Sequence, residues 1–166
     1  MIFDFDTHII DIDVAKTADY HRNDCRITCD CSACRNFDRV ANDFPREVRQ
    51  LLEKLGVDPA KPQVLSVDYA PSQQTMAYSG FYYLCGTILQ GKEAWIQDEP
   101  KHYHFDDTCL LQISDHYAVF FSEPQHGVVD VNFPKPVVEL QFVCTLPWVL
   151  EEPHHYHLQL GEVDHA

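Results

Sequence analysis

The second half of the chain consists mainly of short stretches rich in aromatic and β-branched residues, separated by turn-forming residues. Such stretches predict β-strands, and their close spacing predicts an antiparallel meander or a β-sandwich. Turn signals between them include the sequences QGKE, SD and EPQHG. The predicted strands lie within residues 63–70, 78–91, 109–114, 116–123 and 136–150.

The first residues, IFDFDTHIIDIDV, alternate apolar and mostly acidic side chains. A period of two with one charged face predicts a half-exposed antiparallel strand, or a hairpin that turns near Thr7 and His8. The acidic face would also disfavour edge-to-edge pairing with other chains.

Helical periodicity is convincing only after residue 33. Pro45 cannot lie inside a helix, so two helices are predicted, near 33–42 and near 45–55. Asp43 is a candidate N-cap of the second helix, and Gly56 is a candidate terminator. The apolar positions that carry the pattern are Phe37, Val40, Phe44, Val48, Leu51, Leu52 and Leu55.

These patterns together predict the α+β class, with a mainly antiparallel β-sheet or sandwich. At 166 residues the chain fits a single domain, 1–166, that buries its own core. A cysteine knuckle and the short helix pair, about residues 20–56, would be inserted in the β-rich core after the first strand or hairpin.

The charge of the chain excludes some partners. The net charge of −14 disfavours nucleic acid, which requires a basic patch.

No apolar run reaches the length of about 18 residues that suggests a membrane span. The N-terminal residues are acidic where a signal peptide is basic, so we expect a cytoplasmic protein with no membrane partner. Residues 16–61 alone have a balance of +1, which ordinary mixed-charge helices explain more simply than a functional patch.

Four of the seven cysteines fall within ten residues, at Cys25, Cys29, Cys31 and Cys34. The C-x2-C pair formed by the last two allows two thiolates to reach one ion, and four thiolates enclose a tetrahedral zinc ion. We therefore predict a zinc site, with zinc as the cofactor. The alternatives are four small buried hydrophobes, a redox pair or disulfides, and a reducing compartment disfavours the last of these.

The sequence does not decide the fourth ligand of this site, because ten residues must fold back sharply to supply all four. The fourth ligand is either Cys25 or a histidine. His21 is nearest along the chain, and Asn36 is a candidate partner of a cysteine sulfur or of the turn. The remote candidates are His154, His155 and His157.

Other residues that could bind a metal or a ligand have simpler explanations. Cys85, Cys109 and Cys144 lie singly in apolar stretches and are predicted to be core residues. His102 and His104 would share one face of a strand and form a metal-binding pair, but both are in a polar segment typical of surface histidines. Trp95, Trp148 and the GFYY run at 80–83 are either core residues or the walls of a ligand groove.

Three segments carry a family resemblance: CDCSACRNF, FPREVRQLLEKLGVDPAKP and PVVELQFVCTLPWVL. Together they resemble a group of uncharacterised bacterial proteins with a C-x-C-x2-C-x-N-[FY] knuckle, a P-x-E-V…LG-[IV]-D-x-x-K-P helix and a late Pro-Trp strand. The resemblance covers about half of the chain. It implies roles for the three knuckle cysteines, for Asn36 and for Pro147 and Trp148, but it implies no reaction.

The sequence thus predicts a zinc-binding protein that binds a partner protein or a small-molecule ligand. The alternative is a metal-dependent, hydrolase-like enzyme with an open coordination position and His21 or Asp24 as base. A third hypothesis, a small acidic interaction or immunity-type protein, rests on the charge alone. Motifs for serine hydrolases, phosphate loops and zinc proteases are missing from the sequence.

Overall fold

The computed structural model describes residues 1–23, 29–124 and 130–156. A β-hairpin opens the fold and turns at residues 5–7, as the alternating pattern predicted. Three helices follow it. These first elements are β1 (Ile2–Asp4), β2 (His8–Ile12), α1 (Val14–Asn23), α2 (Ser32–Ala41) and α3 (Arg46–Leu55). Within the described ranges, no helix combines the length and the apolar character that crossing a membrane requires.

The remaining strands complete one seven-stranded antiparallel sheet and a separate two-stranded hairpin. The sheet order is β1-β2-β4-β9-β8-β7, with β3 paired to β4, and β5 pairs with β6. The last strand therefore lies between β4 and β8, so the sheet is neither a simple meander nor a sandwich. The strands are β3 (Val64–Ser72), β4 (Thr75–Gly91), β5 (Trp95–Glu99), β6 (His102–Phe105), β7 (Leu111–Ser114), β8 (Tyr117–Ser122) and β9 (Val137–Pro147).

One face of this sheet packs against α2 and α3 and forms the main core. The ring of Phe37 lies 5.5 Å from that of Tyr78 and 6.0 Å from that of Phe142. The predicted mainly antiparallel α+β fold is thus confirmed, with both predicted helices inserted after the hairpin. The apolar helix residues that face the sheet are Ala33, Phe37, Val40, Val48, Leu51, Leu52 and Leu55, all of them buried.

The ends of α3 agree only in part with the sequence prediction. Gly56 ends the helix with a φ of 78°, the left-handed conformation that favours glycine. Asp43 does not cap α3, because Pro45 occupies the N-cap position and no side chain caps the helix there. Asp43 instead lines a surface cavity beside the α2–α3 connection.

Helix α1 was not predicted, because the residues that it buries are polar. Thr17 and His21 lie one helical turn apart and face β4. The Thr17 hydroxyl accepts a hydrogen bond from the Cys85 amide at 3.0 Å, and His21 Nε2 lies 3.1 Å from the Tyr83 carbonyl oxygen. The helix therefore attaches to the sheet through hydrogen bonds to a strand backbone, which a hydrophobic pattern does not reveal.

One edge of β4 has a gap between its two neighbouring strands, and these contacts fill it. On that edge β3 pairs with residues up to Phe81, and β2 pairs from Gly86 onward. Between the two strands, the Tyr83 amide donates to Gln63 Oε1 at 2.5 Å, and the Cys85 carbonyl accepts from the Asp13 amide at 2.8 Å. Polar side chains and a loop amide thus satisfy backbone groups that would otherwise be buried without partners.

The opposite face of the sheet is only partly covered. Phe120 is buried there beneath Phe105 and Leu110, beside the β5–β6 hairpin. The three single cysteines, Cys85, Cys109 and Cys144, are all buried, which confirms that they are core residues.

We predict that Thr17→Val destabilises the fold by about 1–3 kcal/mol, because the near-isosteric valine cannot accept the Cys85 amide. Thr87→Val, on the exposed part of the same strand β4, is the matched control and should change the free energy of unfolding by less than about 0.5 kcal/mol. Urea denaturation of both variants measures the difference. Equal stability of the two variants would contradict the role given to α1.

Candidate metal centre

Cys29, Cys31 and Cys34 converge at the N-terminal end of α2. Their three sulfur atoms all lie within 4.8 Å of one another. Cys29 and Cys31 are exposed, and Cys34 is half-buried. Among the residues that the structure describes, this is the one group of three or more potential metal ligands with such close spacing.

The start of α2 arranges these sulfurs. Cys31 is the N-cap residue, with extended backbone angles, and its carbonyl accepts the first helical hydrogen bond from Arg35 at 3.0 Å. The backbone amides of Cys34 and Ala33 point at the Cys31 sulfur. Free amides at a helix N-terminus favour a negatively charged ligand, so this position favours a thiolate.

The thiols of Cys31 and Cys34 have pKa values shifted in opposite directions. Partial burial alone would raise the pKa of Cys31, but hydrogen bonds from the Cys34 amide and from the Cys29 and Cys34 thiols outweigh it and lower the pKa. Burial, followed by the hydrogen bonds to the other two sulfurs, raises the pKa of Cys34 strongly. Of these two thiols, Cys31 therefore loses its proton the more readily.

This donor set fits a thiophilic metal ion. Four sulfurs at about 2.3 Å from a tetrahedral zinc lie roughly 3.8 Å apart, which is compatible with the observed spacing. Thiolate ligands select ions such as zinc or copper(I) over magnesium or calcium. The three described cysteines could supply three ligands of a tetrahedral site, which would leave one position for a further group.

The other predicted ligands have different placements. Cys25 and His157 lie outside the described residues. His21 is buried, and its ring nitrogen lies at the Tyr83 carbonyl in the gap along β4, so it does not join the cluster. His154 is also buried, with Nε2 at 3.0 Å from the Ser72 carbonyl, whereas His155 is exposed.

Asn36 connects the cysteine helix to the end of β9 through its side-chain amide. Its side-chain amide nitrogen donates to the Pro147 carbonyl at 3.0 Å and to the Tyr78 hydroxyl at 3.2 Å. Its oxygen accepts from the Val149 amide at 2.8 Å. The Tyr78 hydroxyl in turn donates to the Ala33 carbonyl at 2.8 Å. This network, whose Tyr78 bonds are buried, fixes the first turn of α2 against the sheet.

The segment after β9 closes over the same end of α2. Arg35 donates to the Asp30 carbonyl at 2.8 Å and forms an ion pair with Glu152. The indole nitrogen of Trp148 donates to the Glu152 carbonyl at 2.8 Å. Residues 147–156, which we call the C-terminal segment, are thereby held beside the cysteine cluster.

Tyr156 is the site residue that sequence reasoning missed. Tyr156 lies beside the three cysteine sulfurs, and burial together with those sulfurs raises the pKa of its hydroxyl. The sequence signal is HHYH at 154–157, in which the tyrosine lies between candidate histidine ligands. A phenol is a hydrogen-bond donor that stabilises a thiolate ligand.

The histidine pair and the tryptophans do not belong to the group of potential metal ligands. His102 and His104 are exposed on β6, and His104 Nδ1 lies 2.6 Å from an Asp98 carboxylate oxygen. Trp148 packs against the His154 ring at 5.1 Å. Trp95 lines a cleft on the opposite face of the sheet.

No family model, curated protein or solved structure matches the chain. Function is therefore inferred from the residues and their geometry. Two of the three segments that carried the sequence resemblance meet in space, because Asn36 of the knuckle bonds Pro147 of the Pro-Trp strand.

We predict that Asn36→Ala lowers the free energy of unfolding by about 2–4 kcal/mol, since it removes the partners of the Val149 amide and the Pro147 carbonyl. Asn42→Ala, an exposed position just beyond the same helix, is the control and should lie within about 0.5 kcal/mol of the unmodified protein. Chemical denaturation of the two variants checks the prediction. A loss no larger than that of the control would show that the network does not stabilise the fold.

Proposed function

We propose that the protein is a zinc-binding domain in which the ion has a structural role and the domain binds a ligand or partner. Cys29, Cys31 and Cys34 supply three thiolates, and Cys25 supplies the fourth. The observation that supports this proposal is the convergence of three sulfurs within 4.8 Å at a helix N-terminus. Zinc is the proposed ion because it favours closed tetrahedral thiolate sites and has no redox chemistry of its own.

The ion would join Cys29, which precedes α2, to Cys31 and Cys34 at the start of that helix. Tyr156 extends this centre to the C-terminal segment, since it lies beside the same sulfurs. An ion at this place therefore stabilises the position of α2 and of the segment that packs on it.

Ligand binding is proposed at the other end of the same helix. A surface cavity of about 770 Å³ lies there, within the size range of small-molecule sites. Val40, Phe44 and Leu146 give it apolar walls, and Arg39 and His116 are at its polar edge. Val40 is six residues after Cys34, or about 9 Å along the helix axis. A metal that fixes the start of α2 would also fix this wall of the cavity.

We predict one zinc ion per chain in protein purified without added metal, with all seven cysteines titrating as free thiols in denaturant. Cys31→Ser should abolish stoichiometric zinc, because it removes the central sulfur of the cluster. Cys109→Ala, which alters a buried cysteine outside the cluster, should retain it. Elemental analysis and thiol titration measure both quantities. Absence of metal together with paired loss of thiols would refute the proposal in favour of disulfides.

Removal of the ion should loosen the helical insertion and leave the sheet folded. With a chelator, we expect faster amide hydrogen exchange in the described parts of residues 20–56 and in the C-terminal segment, while β4 and β9 keep their protection. The physical reason is that the sheet core holds together without the knuckle. Exchange measured by mass spectrometry with and without chelator tests this. Loss of protection throughout the chain would contradict a local structural role.

One observation favours the enzyme alternative, namely that two of the three described cysteines are exposed. If Cys25 does not bind, an ion held by three thiolates would carry a water in the fourth position, which is the arrangement of catalytic zinc sites. The absorption spectrum of the cobalt-substituted protein distinguishes the two cases. A spectrum that changes on Cys25→Ser supports four protein ligands and the structural role, whereas an unchanged spectrum supports an open position.

A further inference from the structure

A second cleft lies on the face of the sheet opposite the helices. It has a volume of about 530 Å³, which is within the range of small-molecule sites. Its floor is formed by β3, β4 and β9, and the β5–β6 hairpin stands at its side. In the part of the chain that the structure describes, β5 and β6 pair only with each other, so the hairpin wall is not part of the main sheet.

Aromatic rings form much of the wall of this cleft. The ring of Trp95 lies 5.2 Å from that of Phe105, and Phe105 lies 4.9 Å from Phe120, both pairs in edge-to-face geometry. Phe81 of β4 lines the same space. Trp95 remains 39% exposed although it borders a cavity, so part of its surface is accessible to a ligand.

The cleft also contains one fixed negative charge. Among the described residues that line it, Asp68 is the only charged one. Asp68 is the extra residue of a β-bulge, since Val67 pairs with Tyr78 and Tyr69 pairs with the next residue, Ala77. A bulge redirects a side chain at the edge of a site. The Ser79 hydroxyl donates to the Asp68 carboxylate at 2.8 Å and holds it in place.

We propose that this cleft binds a small organic cation, an alkylammonium group with an apolar body. Aromatic faces attract ammonium groups through the negative charge of their π-systems, and a quaternary ammonium group gives up little hydration on entering such a site. The Asp68 carboxylate adds direct charge complementarity. An anion would meet Asp68 and a chain with a net charge of −14, so the same surface disfavours it.

This inference goes beyond the proposed zinc domain and does not depend on it. The residues named as lining the cleft belong to β3, β4, β5, β6, β8 and β9, whereas the cysteine cluster lies at the start of α2. The metal content of the samples is measured alongside ligand binding. Absence of zinc would then refute the proposed function while leaving the cleft to be judged by its own data.

The test is a titration of the isotope-labelled full-length protein with choline, monitored by NMR. The matched probe is the alcohol in which a carbon atom replaces the choline nitrogen, because the two molecules have the same shape and differ in charge. We expect choline to shift the indole signal of Trp95, which is assigned by its disappearance in Trp95→Phe. The neutral alcohol should bind at least about tenfold more weakly.

Two substitutions and one control locate the binding. Asp68→Asn keeps the shape of an exposed side chain and should weaken choline binding about three- to fivefold. Trp95→Leu should weaken it about fivefold through loss of the aromatic face. Asp4→Asn removes an exposed charge on β1, outside the cleft, and should change the affinity by less than about twofold.

Three results would overturn the proposal. Equal binding of choline and the neutral alcohol would show that the cleft is a nonspecific apolar surface. Equal weakening by Asp68→Asn and Asp4→Asn would indicate a general charge effect. The absence of any shift at the Trp95 indole, in protein whose remaining spectrum is that of the folded state, would show that the cleft does not bind alkylammonium ions.

Discussion

The hydrogen bonding of strand β4 is the constraint on which the rest of the structure depends. This strand is 17 residues long, and β9 pairs with it along eleven residues of one edge. Its other edge is divided between β3 and β2, with α1 and Gln63 between them. The strands β9, β3 and β2 and the helix α1 therefore all attach to the backbone of this one strand. Because a buried backbone group without a partner is costly, the gap between β3 and β2 requires α1 to be where it is.

The helix of the candidate metal centre is connected to this strand through the Tyr78 hydroxyl, which accepts from Asn36 and donates to Ala33. Asn36 lies on the buried side of α2 and bonds the Tyr78 hydroxyl from β4 together with the backbone at Pro147 and Val149. The cysteines thus occupy the exposed end of a helix whose position the sheet already sets. In the proposed arrangement a metal ion would add rigidity to a site whose position the sheet already sets.

Regular patterns were predicted well because they reflect the burial of apolar side chains. The stretches rich in aromatic and β-branched residues located β3, β4, β8 and β9 to within a few residues, and the period of 3.6 located α2 and α3. The same reasoning missed α1, where Thr17 and His21 take the buried positions that apolar residues usually hold. It also offered His21 as a possible zinc ligand, since the sequence does not show that a strand carbonyl lies opposite its ring.

The sequence by itself determined most strands of the main sheet, helices α2 and α3, the buried single cysteines and the concentration of thiols near the start of α2, because each of these follows from residue type and local spacing. Only the tertiary structure decided the insertion of β9 beside β4, the bonds of Asn36, the position of Tyr156 beside the cysteine sulfurs and the placement of Asp68 and Trp95 on one cleft. These features join residues up to 125 positions apart in the chain. Local spacing carries no information about such contacts, which arise from the pairing of distant strands and the satisfaction of buried polar groups.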